Sequence, residues 1–250
     1  MMHSRLAVGC AFVALSLIGP GATAQPNSRC ADCHFARPDA PAPDHLQAWD
    51  RSPHGRNMVG CQKCHGGDDT TVEPFVAHRG LLSPTNPKSP VHRGNLPATC
   101  GGCHVGPFVA FQDSRHYQLL RSGDRRGPTC STCHGEVDGR LLSAKALESR
   151  CNDCHGAGEV APRAERAREV RQLYESLKVV REQLKLAESF VKRVTDTKRR
   201  QDLESALEQA RVPMTRAINA GHRFVYDDLT ESLAQAQTRA EALLSRLANR

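Results

Sequence analysis

The chain has 250 residues, which is enough for one or two domains. Aromatic residues make up only 4% of it and its mean hydropathy is -0.51, so side chains supply few bulky groups for a core. The formal net charge of +7 does not indicate nucleic-acid binding, because basic and acidic residues are interspersed. Eleven cysteines and twelve histidines indicate a metal or cofactor protein instead.

Residues 1–24 are predicted to be a secretory signal peptide. Arg5 precedes an uncharged apolar run over residues 6–19, and Ala22 and Ala24 give the small-x-small pattern of a cleavage site before Gln25. The run is shorter than the roughly 20 residues that a membrane-spanning helix needs. An uncleaved anchor and a lipid anchor at Cys10 are the alternatives. We therefore expect a periplasmic or extracellular protein with no transmembrane span after cleavage.

Removal of Cys10 with the signal leaves ten cysteines, and all ten fall into Cys-x-x-Cys-His motifs. The five motifs supply Cys30, Cys33 and His34; Cys61, Cys64 and His65; Cys100, Cys103 and His104; Cys130, Cys133 and His134; and Cys151, Cys154 and His155. This pattern is the attachment signature of c-type haem. The two thiols form thioethers with the porphyrin, and the His gives a proximal nitrogen to iron. The sequence predicts five covalently bound haem c groups.

Other chemistry is compatible with cysteine pairs of this kind. A single Cys-x-x-Cys could be a redox dithiol or half of a zinc site, and ten cysteines in an exported chain could form disulfides. Neither alternative explains why His follows the second Cys in all five motifs. Five porphyrins also provide the apolar bulk that the side chains lack, and their propionates would reverse the positive formal charge.

Six histidines of the mature chain lie outside the motifs and are candidate distal iron ligands. They are His45, His54, His78, His92, His116 and His222. Five irons need five such ligands, so one histidine is spare, and His45 and His92 are the two candidates for that role. Met58 is an alternative thioether ligand. Irons with two His ligands have no open position for substrate, which suits electron transfer rather than catalysis.

The composition divides the mature chain into two parts. Residues 25–160 hold all five motifs and are rich in Pro, Gly and Ser, which indicates loops with short helical turns at the motifs. Residues 161–250 are rich in Ala, Arg, Glu and Leu, with apolar residues repeating every three or four positions. The predicted fold is mainly α with extensive loops: a pentahaem c-type cytochrome domain, then a long helical hairpin or bundle of two or three helices.

Two residues of the C-terminal part have specific predicted roles. Pro213 is expected at a bend or in the first turn of a helix. His222 is the only histidine after residue 155, and it lies at the head of the last helix. We expect this helical part to reach back so that His222 binds one iron.

Residues 30–155 resemble multihaem c-type cytochromes related to hydroxylamine oxidoreductase, pentahaem nitrite reductase and the tetrahaem cytochromes of ammonia oxidisers. The resembling features are the Cys-x-x-Cys-His-Gly units at 61–66, 130–135 and 151–156, the approach from Trp49 to Ser52 and His54, and the run from Ser114 to Tyr117 around His116. The resemblance implies closely packed haems that pass electrons along the chain. However, this chain has no Cys-x-x-Cys-Lys motif and no recognisable counterpart of a catalytic cross-linked Tyr.

These departures favour an electron carrier over a catalyst. The expected role is transfer of electrons between a membrane quinol oxidoreductase and a terminal reductase. One alternative is a multihaem oxidoreductase acting on a small nitrogen or sulfur substrate at one open haem. Another is a structural or assembly role, with self-association through the C-terminal helices.

Overall fold

The computed structural model of the chain describes residues 28–37, 39, 43–135, 137, 142–159 and 163–249. The predicted signal peptide and Cys10 lie outside the described residues. Within the described ranges, helices are the regular secondary structure and no strand occurs. The prediction of a mainly α fold with extensive loops is therefore confirmed.

In the part of the chain that the structure describes, ten short helices precede three long ones. They are α1 (Arg29–Ala36), α2 (Pro43–Asp50), α3 (Pro53–Arg56), α4 (Gln62–His65), α5 (Pro74–Ala77), α6 (Leu96–Gly101), α7 (Val105–Gln112), α8 (Arg115–Arg121), α9 (Cys130–His134), α10 (Ala144–His155), α11 (Ala164–Val191), α12 (Thr197–Arg223) and α13 (Tyr226–Ala248). The motif residues lie on these short helices or directly beside them, as expected.

The main apolar core lies in the C-terminal bundle of α11, α12 and α13. Its buried members are Leu177, Val180, Leu184, Ala187, Val191, Leu203, Leu207, Ala210, Met214, Ala217, Ala220, Leu229, Leu233, Ala236, Ala240 and Leu243. They recur every three or four positions along each helix, which places them on one face. Apolar burial therefore accounts for the packing of this part of the chain.

Pro213 lies inside α12, so the alternative of a first-turn position is wrong. A proline has no N–H group, and the carbonyl four residues earlier loses its helical partner. That carbonyl belongs to Gln209, and Arg239 of α13 donates a hydrogen bond to it at 2.7 Å. The neighbouring helix thus satisfies the group that Pro213 leaves without a donor.

The bundle contacts the motif-bearing region at two places. Helix α10, which ends in the fifth motif, packs against α11, and α7 packs against α12. Both contacts are at one end of the bundle, because Arg166 at the start of α11 lies over the Tyr226 ring at the start of α13. Among the described helices, none is long and apolar enough to cross a membrane.

We predict that Leu243→Ala lowers the free energy of unfolding of the bundle by about 2–5 kcal/mol, because it leaves a cavity in a packed core. Leu243 is 1% exposed. Leu186→Ala is the matched control, since that side chain is 49% exposed and its loss should cost about 0.5 kcal/mol or less. Denaturant unfolding followed by far-ultraviolet circular dichroism measures both. Equal losses in the two variants would contradict the described core.

Candidate metal centres

Each of the five motif histidines lies opposite one histidine from outside the motifs. We number the sites 1 to 5 in the order of their motifs along the chain. The ring centres are 6.0 Å apart for His34 and His78 (site 1), 6.0 Å for His65 and His45 (site 2), 6.2 Å for His104 and His54 (site 3), 6.1 Å for His134 and His222 (site 4) and 5.9 Å for His155 and His116 (site 5). No motif histidine and no partner is used twice.

This spacing fits one metal ion held between two imidazole rings. An imidazole nitrogen binds a metal at about 2.0–2.1 Å, so two nitrogens on opposite sides of one ion are about 4 Å apart. The centres of the two rings are then about 6 Å apart. The two histidines of each site could bind one iron from opposite sides, and a porphyrin would supply the other ligands of that iron.

The two cysteines of each motif are available for covalent attachment. All ten cysteines of the described residues are free thiols, and most are partly buried beside their motif histidine. The disulfide alternative has no pair to support it in this part of the chain. The donor set of two thiols and two imidazoles per site matches the requirements of covalent haem.

Buried serines position two of the non-motif histidines. Ser52 caps α3 by accepting a hydrogen bond from the Gly55 N–H at 3.1 Å, and Ser114 caps α8 by accepting one from the Tyr117 N–H at 3.0 Å. In both helices the histidine follows two residues after the serine. A Ser N-cap fixes the first turn of a helix, and so it fixes the direction of the His54 or His116 side chain.

Trp49 joins the segments that carry His45 and His54. It is buried, and its indole N–H donates a hydrogen bond to the Val59 carbonyl at 2.9 Å. Gly55 allows α3 to approach closely, because a Cβ there would lie 2.5 Å from the Trp49 carbonyl oxygen. These contacts hold the non-motif histidines of sites 2 and 3 on one compact unit.

His222 lies in the last turn of α12, so its predicted position at the head of the last helix is wrong, and its ring has a fixed orientation. Its Nδ1 lies 2.8 Å from the Ile218 carbonyl oxygen, one helical turn earlier on α12. A hydrogen bond from Nδ1 to a carbonyl leaves Nε2 as the metal-binding nitrogen, and it sets the plane of the ring. The ring of His222 is within 7° of parallel to that of His134.

Burial favours the neutral, metal-binding form of several rings. It lowers the pKa of His116 to about 4, with a further contribution from the nearby His155. Burial also lowers the pKa of His65, next to His45, and of His134, next to His222 and His104. A neutral imidazole has the lone pair that a metal requires.

His92 is placed differently from the other five non-motif histidines. Its Nδ1 accepts a hydrogen bond from the Gly94 N–H at 3.2 Å, within a turn that leads into α6. Among the described residues, no motif histidine lies opposite its ring. The geometry therefore brings His45 to a motif and leaves His92 as part of a local turn.

Cysteines of consecutive motifs are neighbours. Ser28, at the head of site 1, donates a hydrogen bond to the Cys61 sulfur of site 2 at 3.7 Å. Helix α6 of site 3 packs against α9 of site 4, and α9 packs against α10 of site 5. The Cys100 and Cys130 thiols are hydrogen-bonded, which raises the pKa of Cys100 and lowers that of Cys130.

Burial raises the pKa of Cys64, and the nearby Cys100 and Cys103 raise it further. Sites 2 and 3 are therefore also neighbours. The five sites thus follow one another in space in the order of their motifs along the chain.

Sequence reasoning named every histidine in these pairs but not how they pair. The partners cross between motifs: His78 follows the second motif yet lies opposite His34 of the first, and His54 precedes the second motif yet lies opposite His104 of the third. The Ser-x-His spacing at Ser52 and Ser114 was an available signal for a capped helix. The contact of Phe224 with His116, at 4.1 Å between ring centres, had no such signal.

Two protein-family models match separate parts of the chain. Residues 85–156 match the family described as cytochrome c7 and related cytochrome c, and residues 15–66 match the family described as cytochrome c554 and c-prime. The first range includes motifs three to five, and the second includes motifs one and two. Together the two matches include all five motifs.

Curated relatives come from Geobacter sulfurreducens. The chain is 33% identical over 137 residues to the C-type polyheme cytochrome OmcB and 26% identical over 136 residues to the C-type polyheme cytochrome OmcC. The aligned segments cover 50% and 51% of this chain but only 16% and 17% of those relatives. No solved structure matches the chain.

We predict that His54→Ala and His92→Ala have opposite spectroscopic outcomes. Loss of His54 removes the ring opposite His104, so one iron becomes five-coordinate, gives a high-spin band and binds carbon monoxide when reduced. Loss of His92 removes only a turn contact and should leave every iron six-coordinate. Optical spectra with carbon monoxide titration of the two holoproteins measure this. Carbon monoxide binding by the His92 variant would contradict the pairing.

Proposed function

We propose that the chain is a multihaem c-type cytochrome, exported and with five haems, that transfers electrons between redox partners. The observation that carries this proposal is the set of five histidine pairs, one at each motif, with ring centres 5.9–6.2 Å apart. It accounts for all five motifs and for five of the six remaining histidines of the mature chain.

We assign the ligands from these pairs. The motif cysteines attach each haem, and the motif histidine is its proximal ligand. The distal ligands are His78 for site 1, His45 for site 2, His54 for site 3, His222 for site 4 and His116 for site 5. His92 is the spare histidine, and Met58, whose side chain is 73% exposed, is not needed as a ligand.

Two axial histidines at every site favour an electron carrier. Each bound haem supplies an iron that gains and loses one electron. The protein fills both axial positions at all five sites, so it reserves none of them for a substrate. The oxidoreductase alternative, which needs one open haem, has no supporting site among the described residues.

The order of the sites supports transfer along the chain of haems. Neighbouring cysteines join consecutive sites: Cys30 and Cys61 for sites 1 and 2, Cys64 and Cys100 for 2 and 3, Cys100 and Cys130 for 3 and 4, and Cys133 and Cys151 for 4 and 5. An arrangement with two ends suits a protein that receives electrons from one partner and passes them to another. The partner classes that we propose are a membrane quinol oxidoreductase as donor and a terminal reductase as acceptor.

Export is proposed from the sequence of residues 1–24 and from the chemistry of c-type cytochromes. Secretion, followed by cleavage between Ala24 and Gln25, would place the mature chain in the periplasm or outside the cell. The named relatives are polyheme cytochromes, and the chain spans about one sixth of their length. Kinship with the hydroxylamine oxidoreductase group and self-association through α11–α13 both remain predictions.

We predict that intact-mass measurement of the exported holoprotein gives a chain starting at Gln25 plus five haem groups. Reductive titration should then take up five electrons per chain. A Cys10→Ala variant is the control, because this cysteine lies outside every motif and its loss should leave the haem count unchanged. A mass with four or fewer haems, or a chain that retains Cys10, would contradict the corresponding part of the proposal.

A further inference from the structure

The turn between α12 and α13 reaches two neighbouring sites. We define it as residues 222–225 and call it the α12–α13 corner. His222 lies opposite His134 of site 4, and Phe224, two residues later, lies against His116 of site 5. Resting on the ligand assignment above, we propose that Phe224 is a positioning residue that holds His116 in place as the distal ligand of site 5.

The contact between Phe224 and His116 is close and directional. The ring centres are 4.1 Å apart and the ring planes cross at 81°, which is an edge-to-face arrangement. Phe111 extends this cluster, with its ring centre 6.4 Å from that of Phe224 and 5.5 Å from that of Tyr117. Edge-to-face aromatic pairs resist rotation of either ring. The Phe224 ring therefore limits rotation of the His116 ring.

His116 lacks the hydrogen bond that normally orients a metal-binding histidine. Its Nδ1 is buried and has no hydrogen-bond partner among the described protein groups. A ligating histidine usually donates its second ring N–H to a carbonyl or carboxylate, which sets the plane of the ring. His222 has such a contact, to the Ile218 carbonyl. Packing therefore orients the His116 ring, whereas a hydrogen bond orients the His222 ring.

The backbone at Phe224 indicates that this side chain has a specific role. Phe224 has φ 59° and ψ 36°, in the left-handed region, and it ends α12. Glycine is the usual residue at this position of a helix end, because a Cβ is disfavoured there. A bulky residue in this conformation is uncommon, and such strain tends to occur at functional positions. Glycine would suit the turn better, yet it would remove the ring contact that Phe224 makes with His116.

The corner is held by contacts of its own. Arg223 forms an ion pair with Asp228 of α13 at 2.9 Å, and the Val225 N–H donates to the Ala220 carbonyl at 3.1 Å. These bonds fix the turn without the Phe224 side chain. The role of that side chain in the turn can therefore be separated from its role at site 5.

Two substitutions make this separation. Phe224→Gly removes the ring but relieves the left-handed backbone, so the bundle should keep its thermal stability. Phe224→Ala removes the ring and leaves the backbone strained. In both variants water gains access to His116, which stabilises the ferric state. We expect one of the five reduction potentials to fall and one low-spin electron paramagnetic resonance signal to shift, while the other four potentials are unchanged.

Further variants of the same holoprotein identify the altered haem and provide the control. The altered haem should be the one that also changes in His116→Met, and Phe224→Tyr, which keeps the ring, should restore the wild-type potential. Phe190→Ala is the matched control, because this aromatic side chain lies on α11 beside Arg193 and is 42% exposed. It should alter no potential.

Two results would overturn the proposal. One is that Phe224→Gly leaves all five potentials and signals as in the wild type. The other is that Phe224→Gly and Phe224→Ala lower the melting temperature and shift all five potentials together, which is a purely structural effect. Failure of the underlying ligand assignment is distinguishable, since His116→Met would then leave the ligands of every iron, and so all five low-spin signals, unchanged.

Discussion

In the proposed holoprotein, the bonds from each iron to two imidazole rings would be the constraint on which the motif-bearing region depends. The described residues between positions 28 and 159 bury few apolar side chains, and those that are buried, such as Trp49, Phe111 and Leu120, are scattered along the chain. A loop-rich segment with so little apolar burial has little to offset its conformational entropy. In the proposed holoprotein, five covalent haems and five crossed histidine pairs join segments that would otherwise share few contacts.

The C-terminal bundle is stabilised by apolar burial, and it contributes to this network at the turn between α12 and α13. Its three helices bury a continuous apolar core, and α7 and α10 hold it against the motif region. His222 and Phe224 then bring it to sites 4 and 5. The bundle is more than a separate packing element, because the turn between α12 and α13 brings His222 to one site and the Phe224 ring to the next.

The sequence was most informative where a short motif has one chemical meaning. The five Cys-x-x-Cys-His motifs, the division near residue 160 and the apolar repeat of the long helices follow from spacing alone. The pairing of histidines does not, because His54 lies seven residues before Cys61 yet faces His104 of the next motif. Such partners are set by how loops cross, which no local pattern encodes. Pro213 is likewise predicted at a bend or in the first turn, and no local pattern indicates that Arg239 satisfies the Gln209 carbonyl and so accommodates Pro213 inside α12.

Anomalous diffraction at the iron absorption edge, from crystals of the holoprotein, tests the central claim most directly. The account predicts five iron positions, each between the two imidazole rings paired here, with His222 at the fourth and His92 at none. An iron with an open axial position, a count other than five, or an exchange of partners between sites would contradict it.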